Sequence, residues 1–240
     1  MKTQHGFSLI ELAIVLVIVT ILIGGLAVPL SAQIEARRVA ETNRILEEAR
    51  DAIVGYAMSH KTGGATPRPY LPCPDTNGDG IEEVRVANKC PREYGWLPWV
   101  TLGAGHQDAW GNRLRYATHT DVSNDNIGIY SAMRTPLPVP GPVWNQICSS
   151  TTCTSGDIAA DVPVVVLSYG ANGWGARNVN GNTLAMPTGV DEEDNLDSNN
   201  HYVSRTPTKP GDPRGEFDDI VTWISFNALI NRICPAGGCL

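Results

Sequence analysis

From Phe7 to Val28 the chain is one apolar run in which Glu11 is the only charge. As a helix rising ~1.5 Å per residue, such a run spans the ~30 Å of a bilayer's hydrocarbon. A cleaved secretory signal would show a shorter apolar core followed by a small-residue cleavage site. No such site closes this run. The small residue, Gly6, instead precedes it, behind a polar leader that contains Lys2 and His5. Positive charge there predicts a leader left on the cytoplasmic side. Glu11 is the anomaly, because a carboxylate in hydrocarbon costs about a few kcal/mol. It needs either a proton or an opposite charge, and an opposite charge in low dielectric attracts it strongly.

Beyond Val28 the helical pattern changes character. Thr42, Ile45, Ala49, Ala52, Ile53 and Tyr56 recur at spacings of three and four, the stripe of an amphipathic helix. Glu35, Arg37, Arg38, Glu41, Arg44, Glu47 and Glu48 cover much of the remainder. The expectation is one long helix from about Phe7 to about His60, with Gly24, Gly25 and Pro29 as weak points where it bends or melts. Four segments follow: a leader at 1–6, an apolar half-helix at 7–29, an amphipathic half at 30–60, and a globular domain at 61–240.

The string Gly6-Phe7-Ser8-Leu9-Ile10-Glu11 resembles the class III signal of type IV pilins and type II secretion pseudopilins. The resemblance implies cleavage between Gly6 and Phe7 by prepilin peptidase, N-methylation of Phe7, and extraction of the subunit into a helical filament. It also implies a role for Glu11 in assembly, neutralising the N-terminal amine of a neighbouring subunit. The implied fold is α+β and pilin-like: a long N-terminal helix packed on a small antiparallel sheet with long disulfide-tied loops. Implied partners are the chain itself, other pilin-like subunits, prepilin peptidase, and an inner-membrane assembly platform with its ATPase. The location is the bacterial inner membrane, single-pass, with the body in the periplasm or, in a surface filament, outside the cell.

The body has its own signals. Six cysteines fall as local pairs, Cys73–Cys90, Cys148–Cys153 and Cys234–Cys239, and behind an export signal they read as disulfides. Zinc is the rival reading, but no CxxC spacing occurs. Eighteen Lys+Arg against 25 Asp+Glu give a formal charge of −7, and without a basic cluster nucleic acid is not expected as a partner. In DTNGDGIEE, Asp75, Asn77 and Asp79 alternate before Gly80, the front half of an EF-hand-type calcium loop. Glu83 and the Ile81 carbonyl are further donors. The twelfth position is Val86, where a bidentate Glu belongs, and the alternative is a plain Asn/Asp/Gly turn between Cys73 and Cys90.

Three body segments resemble the major pseudopilin of type II secretion: Asp108-Ala109-Trp110-Gly111, Ser168-Tyr169-Gly170-Ala171-Asn172-Gly173, and Asp218-Asp219-Ile220 with Trp223. In that family the last two frame a structural calcium ion. Carried over, Asp218 and Asp219 become calcium ligands, with Asn172 a weaker donor where the family has Asp. Calcium is the one cofactor considered. Strands are expected after Asp108 up to Tyr116, at Val162–Gly170 and at Phe217–Ser225, and a short helix near Phe226–Ile233. Insertions at 136–156 and 175–215 have no counterpart in the resemblance. The acidic run Asp191-Glu192-Glu193-Asp194 in the second reads as a solvated face.

No enzyme is expected. Ser168 lies in LSYGA rather than GxSxG, and no HExxH, GxGxxG or P-loop occurs. The functional expectation is a type II secretion pseudopilin, with a major or minor surface type IV pilin (adhesion, motility, DNA uptake) as the alternative. A membrane-anchored periplasmic binding protein or enzyme is the third reading.

Overall fold

Helix α1 runs from Leu9 to Ser59 without a break, through Gly24, Gly25 and Pro29. Its first turn is closed by the chain itself, because the Ser8 N–H donates to Glu11 Oε2 at 2.9 Å. This is the carboxylate half of a capping box. The computed structural model describes residues 8–129, 144–197 and 199–234, with residues 24–29 described in backbone only. Residues up to Ala40 form one compact unit and Glu41–Leu240 a second.

In the first unit the described side chains are all exposed, including Leu9, Ile10, Leu12 and Ile14 to Val19. Among the described residues no helix is long and apolar enough to cross a membrane.

In the second unit the end of α1 buries Thr42, Leu46, Ala49, Ile53, Val54, Tyr56 and Ala57. Leu46 and Val54 extend the expected stripe, and each large aliphatic side chain buried this way contributes about 1.5–3 kcal/mol. They pack on a four-stranded antiparallel sheet of order β1-β2-β5-β7, made of β1 (Tyr94–Trp96), β2 (Arg115–Thr118), β5 (Val164–Ser168) and β7 (Ile220–Ile224). The register pairs Tyr116 with Val166 and Val166 with Thr222. Side chains alternate across a strand. Tyr116, Val164, Val166 and Ile224 join the core with α1, while Ala117, Val165 and Leu167 join a second core on the other face.

That second face is covered by a second sheet of order β4-β3-β6: β3 (Asn145–Cys148), β4 (Ala159–Val162) and β6 (His201–Val203). Strand β3 is antiparallel to β4 and parallel to β6. Both insertions therefore have a structural job, since each contributes a strand here. Ile147, Val162 and Tyr202 supply the apolar side chains that meet Val165 and Leu167. Burial on two faces explains why β5 reads as an unbroken apolar run. The expected single strand at Val162–Gly170 is in fact two: β4 ends at Val162, Pro163 intervenes, and β5 starts in the other sheet.

Short helices complete the body: α2 (Trp99–Leu102), α3 (Thr120–Ser123), α4 (Val190–Asp194) and α5 (Phe226–Ile233). The last is capped by Ser225 and buries Leu229 and Ile233. Cys73–Cys90 and Cys148–Cys153 are bonded. Cys239 lies outside the described residues, and with it the pairing Cys234–Cys239. The Cys73–Cys90 loop is fastened to α1 by Glu82, whose Oε1 accepts from Tyr56 Oη at 2.5 Å. Its Oε2 accepts from the Cys73 N–H and from Arg85, both at 3.0 Å.

Candidate functional site

The three body motifs meet at one corner of the main sheet. Asp108 is buried. Its Oδ1 accepts from the N–H groups of Trp110 and Asn112, both at 2.9 Å, and its Oδ2 from the Ser168 hydroxyl at 2.7 Å. Ser168 Oγ in turn accepts from the Gly170 N–H. The serine is thus a latch between the first and second motifs, its proton committed to a carboxylate. Desolvation raises the Asp108 pKa, and these hydrogen bonds oppose the rise. Gly170 has φ +62°, and a Cβ there would fall on the Asp218 carboxylate. Only glycine fits that combination of left-handed backbone and close approach.

Next to this latch, Glu192, Asp218 and Asp219 bring carboxylate oxygens within 4.8 Å of one another. Asp218 and Asp219 come from the entry to β7 and Glu192 from α4. The path of α4 depends on Gly189, where a Cβ would stand 2.6 Å from the Glu216 carbonyl oxygen. Glu192 Oε1 accepts from Asn172 Nδ2 and from the Asp218 N–H, both at 2.9 Å. Asp218 Oδ2 accepts from the Asn172 N–H at 2.9 Å, and Asp219 Oδ2 from Asn195 Nδ2 at 2.8 Å. Two oxygens, Glu192 Oε2 and Asp218 Oδ1, are buried with no partner.

Burial raises all three pKa values, that of Asp218 to about 7; nearby carboxylates add to the rise, Glu216 at Glu192, Glu192 and Glu216 at Asp218, and Glu192 and Asp218 at Asp219. Three clustered carboxylates with two buried oxygens that no protein group reaches are expensive to keep ionised unless a positive charge compensates them. The donor set is hard oxygen only, the chemistry of calcium rather than of a soft metal. The residues present therefore fit the ion that the resemblance implies.

Asp218 and Asp219 are brought together as the sequence suggests. Asn172 is beside them, but its Oδ1 accepts from the Trp174 N–H at 3.0 Å and its Nδ2 faces Glu192. It orients a carboxylate rather than offering one. The acidic run is corrected by the structure: Asp191, Glu192 and Asp194 are buried, not a solvated face. Asp191 pairs with Arg205 at 2.6 Å, both side chains buried. Glu192 supplies the carboxylate that Asn172 lacks. The available signal was that substitution itself: a motif missing its Asp, beside an insertion rich in acids.

The DTNGDG loop is elsewhere. Asp75 Oδ1 accepts from the Asn77 and Gly78 N–H groups and Oδ2 from Gly80, at 3.0, 2.6 and 2.8 Å. Asn77 and Asp79 each accept from the amide two residues on, and Glu83 accepts from Thr76. These are turn-closing bonds within the loop, and they already use one oxygen or more of every proposed donor side chain. Gly6 and Phe7 lie outside the described residues.

No curated protein and no solved structure matches the chain. Residues 1–27 match the model of the prokaryotic N-terminal methylation motif. The long helix, the antiparallel sheet and the disulfides behind that motif are consistent with an α+β pilin-like fold.

Proposed function

We propose that the chain is a pseudopilin of a type II secretion system, a subunit that polymerises into a periplasmic pseudopilus and drives folded proteins outward. The observation that carries this reading is the junction of the three pseudopilin-like motifs, where Asp108 locks Ser168 and Gly170 makes room for Asp218. Such a subunit is held single-pass in the inner membrane by its apolar half-helix until a platform protein and ATPase extract it. In the filament Glu11 exchanges its own Ser8 N–H for the amine of a neighbouring Phe7. In the same reading calcium is held by Glu192, Asp218 and Asp219. The ion supplies positive charge that lets three carboxylates stay ionised at one corner, and so fixes α4 against the start of β7.

The second sheet favours one rival. Strands drawn from insertions and closed by Cys148–Cys153 suit a subunit exposed at the cell surface, as in an adhesive type IV pilin. Shearing surface filaments from native cells and probing them and the membranes separates the two. Mature protein confined to membranes, with secretion lost on deletion, supports the pseudopilin. Abundant mature protein in sheared filaments, with secretion intact, overturns it.

A further inference from the structure

Two arginines stand without a counter-charge at the β1 edge of the main sheet. Strand alternation puts Tyr94 and Trp96 on one face of β1, and the register sets Arg115 of β2 opposite Trp96. That face looks toward the second sheet, and Arg115 is only 8% exposed there. A guanidinium is always charged and carries five N–H donors. In Arg115, Nη2 donates to the Asp197 carbonyl oxygen at 2.6 Å, while Nε is buried with no partner. Tyr169 and Tyr202 stand near the guanidinium, but burial keeps both hydroxyls protonated, so they bring it no negative charge. Asp219 acts on it from further away, with its own Oδ2 taken by Asn195.

The second arginine is Arg92, which is exposed. Both guanidiniums lie over one ring, that of Tyr94, at 5.9 Å for Arg92 and 5.1 Å for Arg115. Arg92 makes one long hydrogen bond, at 3.4 Å to the Tyr94 hydroxyl. Among the described residues neither arginine is in an ion pair. Both line one pocket of about 180 Å³, with Tyr94 and Trp96 as its aromatic wall. Asp75 also borders it, but its carboxylate is spent on the N–H groups of Asn77, Gly78 and Gly80.

We propose that this pocket binds a carboxylate between Arg92 and Arg115. A buried cation without a partner is costly, and an incoming anion offsets that cost. The two oxygens of a carboxylate match the planar guanidinium fork. Pockets that take a whole drug-sized ligand measure ~300–1,000 Å³, so this smaller one suits a single anionic group. Arg115 supplies the fixed charge at the floor, and Arg92 supplies an accessible one at the rim. The carboxylate belongs either to a free small acid or to an acidic side chain of another protein chain. The site is opposite in charge to the Glu192–Asp218–Asp219 corner and does not depend on which filament the chain serves.

The test is isothermal titration of the full chain in detergent with glutarate, with its neutral diamide glutaramide, and with the blocked peptide acetyl-Gly-Glu-Gly-amide. Glutarate is expected to bind once per chain, more weakly as sodium chloride is added, and glutaramide is expected not to bind. Arg92→Gln alters an exposed position and should lose at least about tenfold in affinity. Arg115→Lys keeps the charge but not the fork and should lose as much. Tighter binding of the peptide than of glutarate assigns the pocket to an acidic side chain of a partner, and weaker binding assigns it to a free acid. No binding of either probe at millimolar concentration, glutaramide binding as well as glutarate, or undiminished binding by Arg92→Gln overturns the proposal. The comparison of glutarate with glutaramide on the wild type decides the matter alone if Arg115→Lys folds poorly.

Discussion

Replacing Asp218 with Asn is expected to have opposite consequences with and without calcium. Asp218 is pushed up to about 7 from 3.8, first by burial and then by Glu192 and Glu216 nearby. A carboxyl whose folded pKa lies above its unfolded one binds its proton more tightly in the native state. Its stabilising contribution is present below about pH 4 and is lost as pH rises through about 7. Three pKa units correspond to about 4 kcal/mol. Asp218 is only partly buried, so solvent screening reduces this to about 2 kcal/mol.

At about pH 8 the metal-free wild type therefore carries that penalty and Asp218→Asn does not. The amide still accepts the Asn172 N–H and places a donor near the unpartnered Glu192 Oε2. For a body of this size the variant's Tm should rise by about 4–8 °C in chelator. At about pH 4 the difference should vanish. With millimolar calcium the order reverses, because the wild type gains the binding energy of a complete site and the variant has lost a ligand. Circular-dichroism melts in chelator and in calcium check both halves. A variant that melts below wild type in chelator at about pH 8, or equal calcium stabilisation of both proteins, would refute the reasoning.

Asn172→Asp replaces a donor to Glu192 with a fourth carboxylate. It should destabilise the metal-free protein by about 1–3 kcal/mol and tighten calcium, as isothermal titration would show. Glu82→Ala leaves the mostly buried Arg85 unpaired and strands Tyr56 Oη and the Cys73 N–H. About 3–5 kcal/mol should be lost in urea unfolding, and a loss below about 1 kcal/mol would mean the network is solvated. Glu11→Gln keeps an acceptor for the Ser8 N–H but removes the charge, whereas Glu11→Ala removes both. If charge is what assembly requires, both variants are processed normally and both stay out of filaments. Recovery of Glu11→Gln filaments to wild-type levels would assign Glu11 to helix capping instead.

Local periodicity made much of the fold legible. The stripe Thr42–Tyr56 and the apolar run of β5 are short-range patterns, and the structure buries the first and covers the second on both faces. The continuity of α1 through Pro29 was not legible, because intrinsic propensity predicts a weak point there. What the sequence alone hid is what depends on distant pairing. Strand β3 finds β6 more than fifty positions later and runs parallel to it, and nothing in NQIC or HYV specifies that choice. The DTNGDG loop shows the converse limit. Alternating Asp and Asn read as metal donors, but the same side chains close turns by accepting local N–H groups. Composition cannot tell which use wins.

The acidic run shows why the candidate site was only half visible. A charged stretch in an insertion is by default a solvated face, and that default fails here because α4 is pinned from both ends. Asp191 is held by Arg205 and by the Thr151 N–H, and Asp194 by His201 and Asn199. With its neighbours tied down, Glu192 faces Asp218 and Asn172 whether or not its charge is compensated. Those anchors reach the Cys148–Cys153 loop at Thr151 and at His201, so the second sheet and the carboxylate cluster are mechanically one assembly. An ion between Glu192 and the entry to β7 would join that assembly to the main sheet. The insertion thus delivers Glu192 to the corner where Asn172 and the Asp218 N–H both donate to it.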